Sequence, residues 1–289
     1  MLLALIKTLR PRQWVKNSFV AAPLFFSLRL LDVSSVQRTL AAVALFSLIS
    51  GCVYVLNDLV DVEADREHPK KRHRPIASGA LPVRAARSFL FVAVPVAGSL
   101  ALLLEPMFAA MLGSYFVLNV AYSFRLKQIA YLDVLLIAVF FILRVLAGAF
   151  AIEVEASPWV LACTFLLALF LGFGKRAHEL ATARDARKQR AALARYDERS
   201  LRWILHGLAG AVVVTYAAYT RSPQTITAFG TDALIFTVPL PLVAIVRFIH
   251  LATRNEDSES PTDGMLRDPI FMSAILLYVV ATGAILYWT

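Results

Sequence analysis

Charge is scarce in this 289-residue chain: charged residues make up 17% of it and hydrophobic residues 59%. With a mean hydropathy of +0.67, that scarcity excludes an ordinary water-soluble domain, which carries far more charge and less apolar surface. Cysteine is nearly absent too. Cys52 and Cys163 are the only two, both inside apolar stretches and without metal-ligand spacing, which leaves them a packing role. No nucleophilic Ser, Cys or His constellation is visible, no low-complexity stretch, and no convincing internal repeat. No cleavable secretory signal is expected, since "MLLALIKTLRPRQW" interrupts its short apolar stretch with Lys7 and Arg10. Residues 1–11 read instead as an amphipathic helix on a membrane surface, ended by Pro11.

What is present is apolar length. Nine segments could enter a bilayer: 17–31, 39–57, 86–104, 107–123, 130–152, 158–174, 201–220, 231–250 and 270–288. Most approach the roughly 20 apolar residues that cross a hydrocarbon core. The expectation is an all-α, polytopic membrane protein of nine transmembrane helices, forming a single domain over 1–289. A polar loop, "TRNEDSESPTDG", is expected at 253–264.

The net charge of +9 invites a nucleic-acid reading, but its distribution argues otherwise. With a cytoplasmic N-terminus, the inner segments 1–16, 58–87, 124–130, 175–202 and 247–268 hold 25 of the 29 Lys and Arg residues. Arg29, Arg38 and Arg221 fall outside, and Arg144 falls within the fifth span. That asymmetry is the positive-inside pattern, and nucleic acid is not needed to explain it.

One stretch departs from the rest. "NDLVDVEADREHPKKRHRPIASG", 57–79, follows the uncharged "LAAVALFSLISGCVYVL". At 100° per residue, Asp58, Asp61 and Asp65 lie within about 60° around a helix axis, and Asn57 widens the arc to about 100°. Like charges on one stripe repel, and Lys or Arg partners at the usual i+4 spacing are missing. A hard cation accounts for the stripe: Mg²⁺ is typically held by one or two carboxylates, with water and substrate phosphates completing its shell. Asn57, Asp58, Asp61 and Asp65 are therefore the candidate metal ligands, and the three aspartates the candidate catalytic residues. Behind them Arg66, Lys70, Lys71, Arg72 and Arg74 suit further phosphate oxygens. The blander alternative is a solvated helix end whose carboxylates balance the basic loop.

A second inner loop, expected over 175–200, opens with Lys175, Arg176 and Glu179 at i, i+1 and i+4, the spacing of Asn57, Asp58 and Asp61. It offers mainly cations, where a second aspartate stripe would have suited additional Mg²⁺. Lys16 and Lys127, with Arg144 deeper in its span, are candidates for a lipid phosphate. Arg144 lies eleven residues after Asp133, about 20° away and roughly 16 Å deeper on the same helix face. At such depth an ionisable group needs an interior partner or a polar cavity.

The motifs "RPRQWVKN", "NDLVDVEADREHPKKRHRPIASG", "FGKRAHEL" and "LRDP" resemble the UbiA superfamily of intramembrane prenyltransferases, in particular its branch that acts on decaprenyl phosphate. That resemblance implies transfer of the 5-phosphoribosyl group of phosphoribosyl diphosphate (PRPP) to a polyprenyl phosphate, with release of diphosphate, for cell-envelope arabinan precursors. It implies Mg²⁺ held by Asn57, Asp58, Asp61 and Asp65. It also implies a PRPP contact at Asn57 and, by their match to the family's second loop, at Lys175, Arg176 and Glu179; Arg66, Lys70, Arg72 and Arg74, cations beside the comb, are assigned to PRPP phosphates as well. The site would face the cytoplasm from a bacterial inner membrane, and the resemblance suggests a homo-oligomer, with a trimer as one form. Two other readings stay open: an aromatic prenyltransferase of the same fold using a prenyl diphosphate, and a transporter for an anionic solute.

Overall fold

The computed structural model describes residues 1–182, 193–253 and 264–288. Of the expected inner loops, residues 183–192 and 254–263 lie outside the described residues. The described chain is helical: α1 (Leu2–Leu9), α2 (Ala22–Phe26), α3 (Val33–Val60), α4 (Val62–Glu67), α5 (Val83–Leu104) and α6 (Pro106–Phe124). These are followed by α7 (Leu132–Ala151), α8 (Pro158–Thr182), α9 (Glu198–Arg221), α10 (Pro223–Phe229), α11 (Pro239–Thr253) and α12 (Pro269–Trp288).

Eight of the nine expected segments are helical stretches long and apolar enough to cross a membrane. The segment 17–31 differs. It consists of a 3₁₀ helix, Pro11–Ala21, and the five-residue α2, with Leu28 in the left-handed region at φ 60°. The polar side chains within it explain the departure. Asn17 is 1% exposed, and its amide donates to Ser47 Oγ at 2.9 Å and Ser50 Oγ at 3.3 Å. A buried amide must be satisfied, and the backbone follows the side chain. The 58–87 region is also less of a loop than expected, since α3 runs to Val60, α4 follows at once, and α5 begins at Val83.

The chain divides into two compact units. The first comprises Met1–Phe124 and Leu143–Ala156. Here α5 offers a stripe of buried alanines, Ala86, Ala93, Ala97 and Ala101, the small-residue spacing by which apolar helices approach closely in lipid. On α6 the buried stripe is Phe108, Leu112, Tyr115 and Asn119. A separate core of Val55, Ile76, Leu81 and Ala86 packs against Leu5 and Leu9 of α1. At the other end of the unit Arg38 donates to Ala151 O at 2.6 Å and Leu104 O at 3.2 Å, and Arg29 to Ile152 O at 3.2 Å. Cations on helix C-terminal carbonyls satisfy orphaned acceptors and complement the helix dipole.

The second unit comprises Arg125–Ile142 and Ser157–Thr289. Its core joins Phe170 of α8, Leu205, Ala209 and Val212 of α9, and Ile245 and Phe248 of α11. Asp197 caps α9 by accepting from Ser200 N at 2.9 Å. Asp268, just before α12, accepts from Phe271 N at 2.8 Å and from Arg247 Nη2 at 2.6 Å. The hydrogen bonds from Arg247 hold the Asp268 carboxyl below the usual carboxylate range.

Two measurements test this packing. A Cβ at Gly148 would overlap the backbone carbonyl of Val20, so Gly148→Ala should destabilise by about 1–3 kcal/mol through overpacking. Gly210, with nothing within 4 Å of such a Cβ, should tolerate Ala or gain roughly 0.5–1 kcal/mol. Unfolding in detergent, followed by tryptophan fluorescence, reads both. Asp268→Asn should lower Tm at pH 7. Because the folded carboxyl is depressed, the wild-type advantage is full above an unfolded value of about 3.9 and disappears as pH falls through the lower folded value. A gap that persisted unchanged to pH 3 would contradict this.

Candidate active site

The carboxylate comb is built at the junction of α3 and α4. Helix α3 stops at Val60 and Asp61 takes φ −89° and ψ 8°, yet Asp61 N still donates to Asn57 O at 2.9 Å and Asp65 N to Asp61 O at 2.8 Å. The i to i−4 ladder survives the break, so Asp58 and Asp65 stay on one side of the chain. Both residues are 2% exposed. One guanidinium joins them: Arg74 Nη1 lies 3.2 Å from Asp58 Oδ1 and 2.6 Å from Asp65 Oδ2. Asn57 and Asp61 are half-buried beside them.

Arg74 owes its place to the residues that follow it. Ile76 and Leu81, 1% and 2% exposed, plug into the core under Val55. Between them the chain turns through Gly79 at φ 81°, a conformation that side chains with a Cβ resist. The anchor is short, so Arg74 cannot wander far from the comb.

A second arginine completes the arrangement. Arg10 Nη2 is 2.7 Å from Asp58 Oδ1, and its Cζ lies 4.8 Å from the centroid of the Tyr54 ring, within cation–π range. Arg10 forms the joint between α1 and the 3₁₀ helix, at φ 52° and ψ 63°. A non-glycine residue in that region persists only where its surroundings hold it. Lys7, Arg10, Lys70, His73 and Arg74 line a cavity of about 270 Å³ around Asp58.

The other expected phosphate contacts are distributed differently. Arg66 bonds Glu63, at 2.9 Å and 3.2 Å, and faces solvent. Arg72 is exposed, its Nε 3.4 Å from His73 Nε2. Lys16 and Lys127 are half-buried and do not line the 270 Å³ cavity. Arg144 is 6% exposed. Its Nε donates to Asn17 Oδ1 and its Nη2 to Tyr115 Oη, both at 3.0 Å, and it lies over the rings of Phe46 and Tyr115. The guanidinium thus anchors the 3₁₀ helix through Asn17. Sequence reasoning missed Lys7, Arg10 and His73. Arg10 belongs to the quoted "RPRQWVKN", but its neighbours Arg12 and Lys16 carry the same signal, and only the turn at residue 10 distinguishes it.

In the second unit, Lys175, Arg176 and Glu179 do come together. Arg176 Nε lies 3.1 Å from Asp133 Oδ2, Arg176 Nη1 also pairs with Glu179, and Lys175 Nζ is 4.0 Å from Glu179 Oε1. Tyr196 donates to Asp133 Oδ1 at 2.8 Å and accepts from Tyr131 N at 2.7 Å. Burial, reinforced by the Asp133 carboxylate, pushes the Tyr196 hydroxyl well above its usual pKa. Asp133 therefore meets Arg176 and Tyr196, whereas Arg144, on the same helix, meets Asn17 and Tyr115. Among the described residues, two cations and two carboxylates meet here.

Eight helices of spanning length among the described residues make the protein a multi-pass membrane protein. The sequence profile of the UbiA prenyltransferase family matches residues 18–287, and the chain belongs to that family. It is 34% identical over 286 residues to the decaprenyl-phosphate phosphoribosyltransferase of Mycobacterium tuberculosis strain H37Rv, covering 96% of this chain and 93% of that one. With the Corynebacterium glutamicum protein of that name it shares 36% over 284 residues, covering 95% and 84%. In fold it is similar to a UbiA homolog from Archaeoglobus fulgidus bound to DMAPP and Mg²⁺, with a TM-score of 0.71 at 16% identity over 98% of each chain.

Tyr196→Phe, which removes one buried hydroxyl, should cost about 1–3 kcal/mol. Asp133→Asn should cost more than this, because it removes the fully buried one of the two carboxylates that face the Arg176 charge and leaves only Glu179. Equilibrium unfolding of the two variants checks the order, and a milder effect at Asp133 than at Tyr196 would contradict this account of the cluster.

Proposed function

We propose that this protein transfers the 5-phosphoribosyl group of PRPP to a polyprenyl phosphate, releasing diphosphate, as a step toward cell-envelope arabinan precursors. The observation that carries the reading is the buried Asp58–Arg74–Asp65 group beside a cation-lined cavity. Near-full-length similarity to decaprenyl-phosphate phosphoribosyltransferases supports it. The site would lie on the cytoplasmic side of a bacterial inner membrane.

The donor set fits Mg²⁺ bound together with a diphosphate. Among the described residues no three His, Cys, Asp or Glu side chains gather as a cage for an ion. One or two carboxylates, however, are the usual protein share of a Mg²⁺ site completed by phosphates and water. Asp58, Asp61 and Asp65, with Asn57, would hold it. Bound there, Mg²⁺ would stabilise the negative charge developing on the departing diphosphate.

The chain's residues then have mainly to position two substrates. A lipid phosphate oxygen is already anionic near neutral pH, so its attack on C1 of the ribose needs no strong general base. The bond from C1 to the diphosphate oxygen breaks, its electron pair leaves with diphosphate, and in-line displacement inverts C1 from α to β. Lys70 and Arg74 line the cavity at Asp58 and are the first candidates for PRPP oxygens. Arg66, Arg72, Lys175, Arg176 and Glu179 are assigned to the same donor. Lys16, Lys127 and Arg144 are assigned to the lipid phosphate. Cations facing two anionic substrates reduce their mutual repulsion.

The experiment incubates purified protein with Mg²⁺, ribose-labelled PRPP and a polyprenyl phosphate, then extracts the lipid. Label should enter the organic phase and be lost with EDTA. Asp58→Asn and Asp61→Asn should each lower turnover by about 100-fold or more, the scale of losing one transition-state stabiliser, while the protein stays folded. Near-normal turnover in both would remove the metal assignment. Activity only with a prenyl diphosphate and an aromatic acid would replace the donor, and silence in both assays would favour an anion transporter.

A further inference from the structure

The contacts of Asp58 and Asp65 constrain how a metal can reach them. Asp58 Oδ1 receives both Arg10 Nη2 at 2.7 Å and Arg74 Nη1 at 3.2 Å, and Asp65 Oδ2 receives Arg74 at 2.6 Å. These oxygens are the hard donors a divalent cation would use, and two guanidinium groups already occupy them. We propose that Arg10 and Arg74 are resident counter-ions of the comb, displaced when metal enters together with a diphosphate, so that metal alone binds weakly and metal plus diphosphate bind as one unit. The proposal rests on the phosphate-donor reading above for the identity of the diphosphate.

Charge decides the direction. Around the cavity, Lys7, Arg10, Lys70 and Arg74 present four formal positive charges to the three aspartates of the comb, Asp58 and Asp65 with Asp61 beside them. A bare divalent cation would add two more in a region where Asp58 and Asp65 are 2% exposed, and would leave both displaced guanidinium groups facing it. A metal diphosphate carries net negative charge, so its arrival removes the excess and gives the displaced arginines phosphate oxygens to bind. Guanidinium suits the exchange, because its planar fork matches carboxylate and phosphate alike.

Geometry lets Arg10 make that move without unfolding its segment. Its backbone is fixed from both sides, by α1 through Leu9 against Gly51 and by the 3₁₀ helix through Asn17 and Arg144. Its guanidinium keeps a resting surface on the Tyr54 ring, 4.8 Å away, when it leaves Asp58. Arg74 is likewise anchored by Ile76 and Leu81 while its tip spans two carboxylates. Both arginines are thus tethered at the base and exchangeable at the tip.

The test measures binding of Mn²⁺, as a spectroscopic stand-in for Mg²⁺, by electron paramagnetic resonance on the full chain in detergent, without turnover. Arg10→Gln and Arg74→Gln should each bind Mn²⁺ alone about 5-fold or more tightly than wild type, the lower range of a site-to-site coupling. Arg10→Lys, which keeps the charge, should stay closer to wild type. In wild type, inorganic pyrophosphate should tighten Mn²⁺ retention on dialysis by a comparable factor, and that arm stands even if a glutamine variant fails to fold. Unchanged or weaker Mn²⁺ binding in both folded glutamine variants would overturn the exchange and leave the donor reading intact. So would wild-type affinity for Mn²⁺ that pyrophosphate does not alter. Tightening by pyrophosphate but not by PRPP would keep the exchange and retire the donor reading.

Discussion

Two carboxylates almost out of contact with water need positive partners, and Arg74 serves both. Much of the first unit can be understood as the scaffold for that contact. Ile76 and Leu81 exist as core residues so that Arg74 is held short, and Gly79 supplies the turn that lets them both point inward. The helix ladder carried through Asp61 keeps Asp58 and Asp65 within reach of one guanidinium. Arg10 comes from the opposite direction in sequence and adds a second cation to the same oxygen. A buried charge whose partner is removed is far more costly than an exposed one, which is why so many residues are committed to one small region.

The second unit solves a related problem with the signs arranged differently. Here the fully buried carboxylate is Asp133, and the chain encloses it with Arg176 and the Tyr196 hydroxyl. Tyr131, at φ 68°, turns its amide onto the same hydroxyl. Among the described residues this cluster sets Lys175 and Arg176 beside Asp133 and Glu179, a formal balance of charge. The cavity at Asp58 has the opposite character, since its cations outnumber the carboxylates they face.

The helical class and most spans could be read from composition and apolar length, since a bilayer demands both. The comb was legible as well, because three aspartates at helical spacing after an uncharged run repel one another and so demand a counter-charge. Residues 17–31 misled because their apolar content resembles a span. The deciding feature was Asn17, whose partners Ser47, Ser50 and Arg144 are distant in sequence. Similarly, the five cations of 66–74 are equivalent on paper, and only the anchoring of Ile76 and Leu81 selects Arg74. Arg10 was invisible for the same reason: its role depends on a left-handed backbone turn and on tertiary approach, neither of which has a residue-type signature.

The threefold anchoring of Asn17 also orders events during synthesis. The segment that carries it is emitted from the ribosome early, yet it is not a continuous helix that could satisfy its own backbone in lipid. Its amide partners on α3 appear some thirty residues later, and Arg144 appears 127 residues later. Until α7 has been made and inserted, Asn17 lacks one of its partners and the joint at Arg10 lacks part of its support. Biogenesis of this unit is therefore retrospective: the first segment reaches its final form after the helices that follow it are in place.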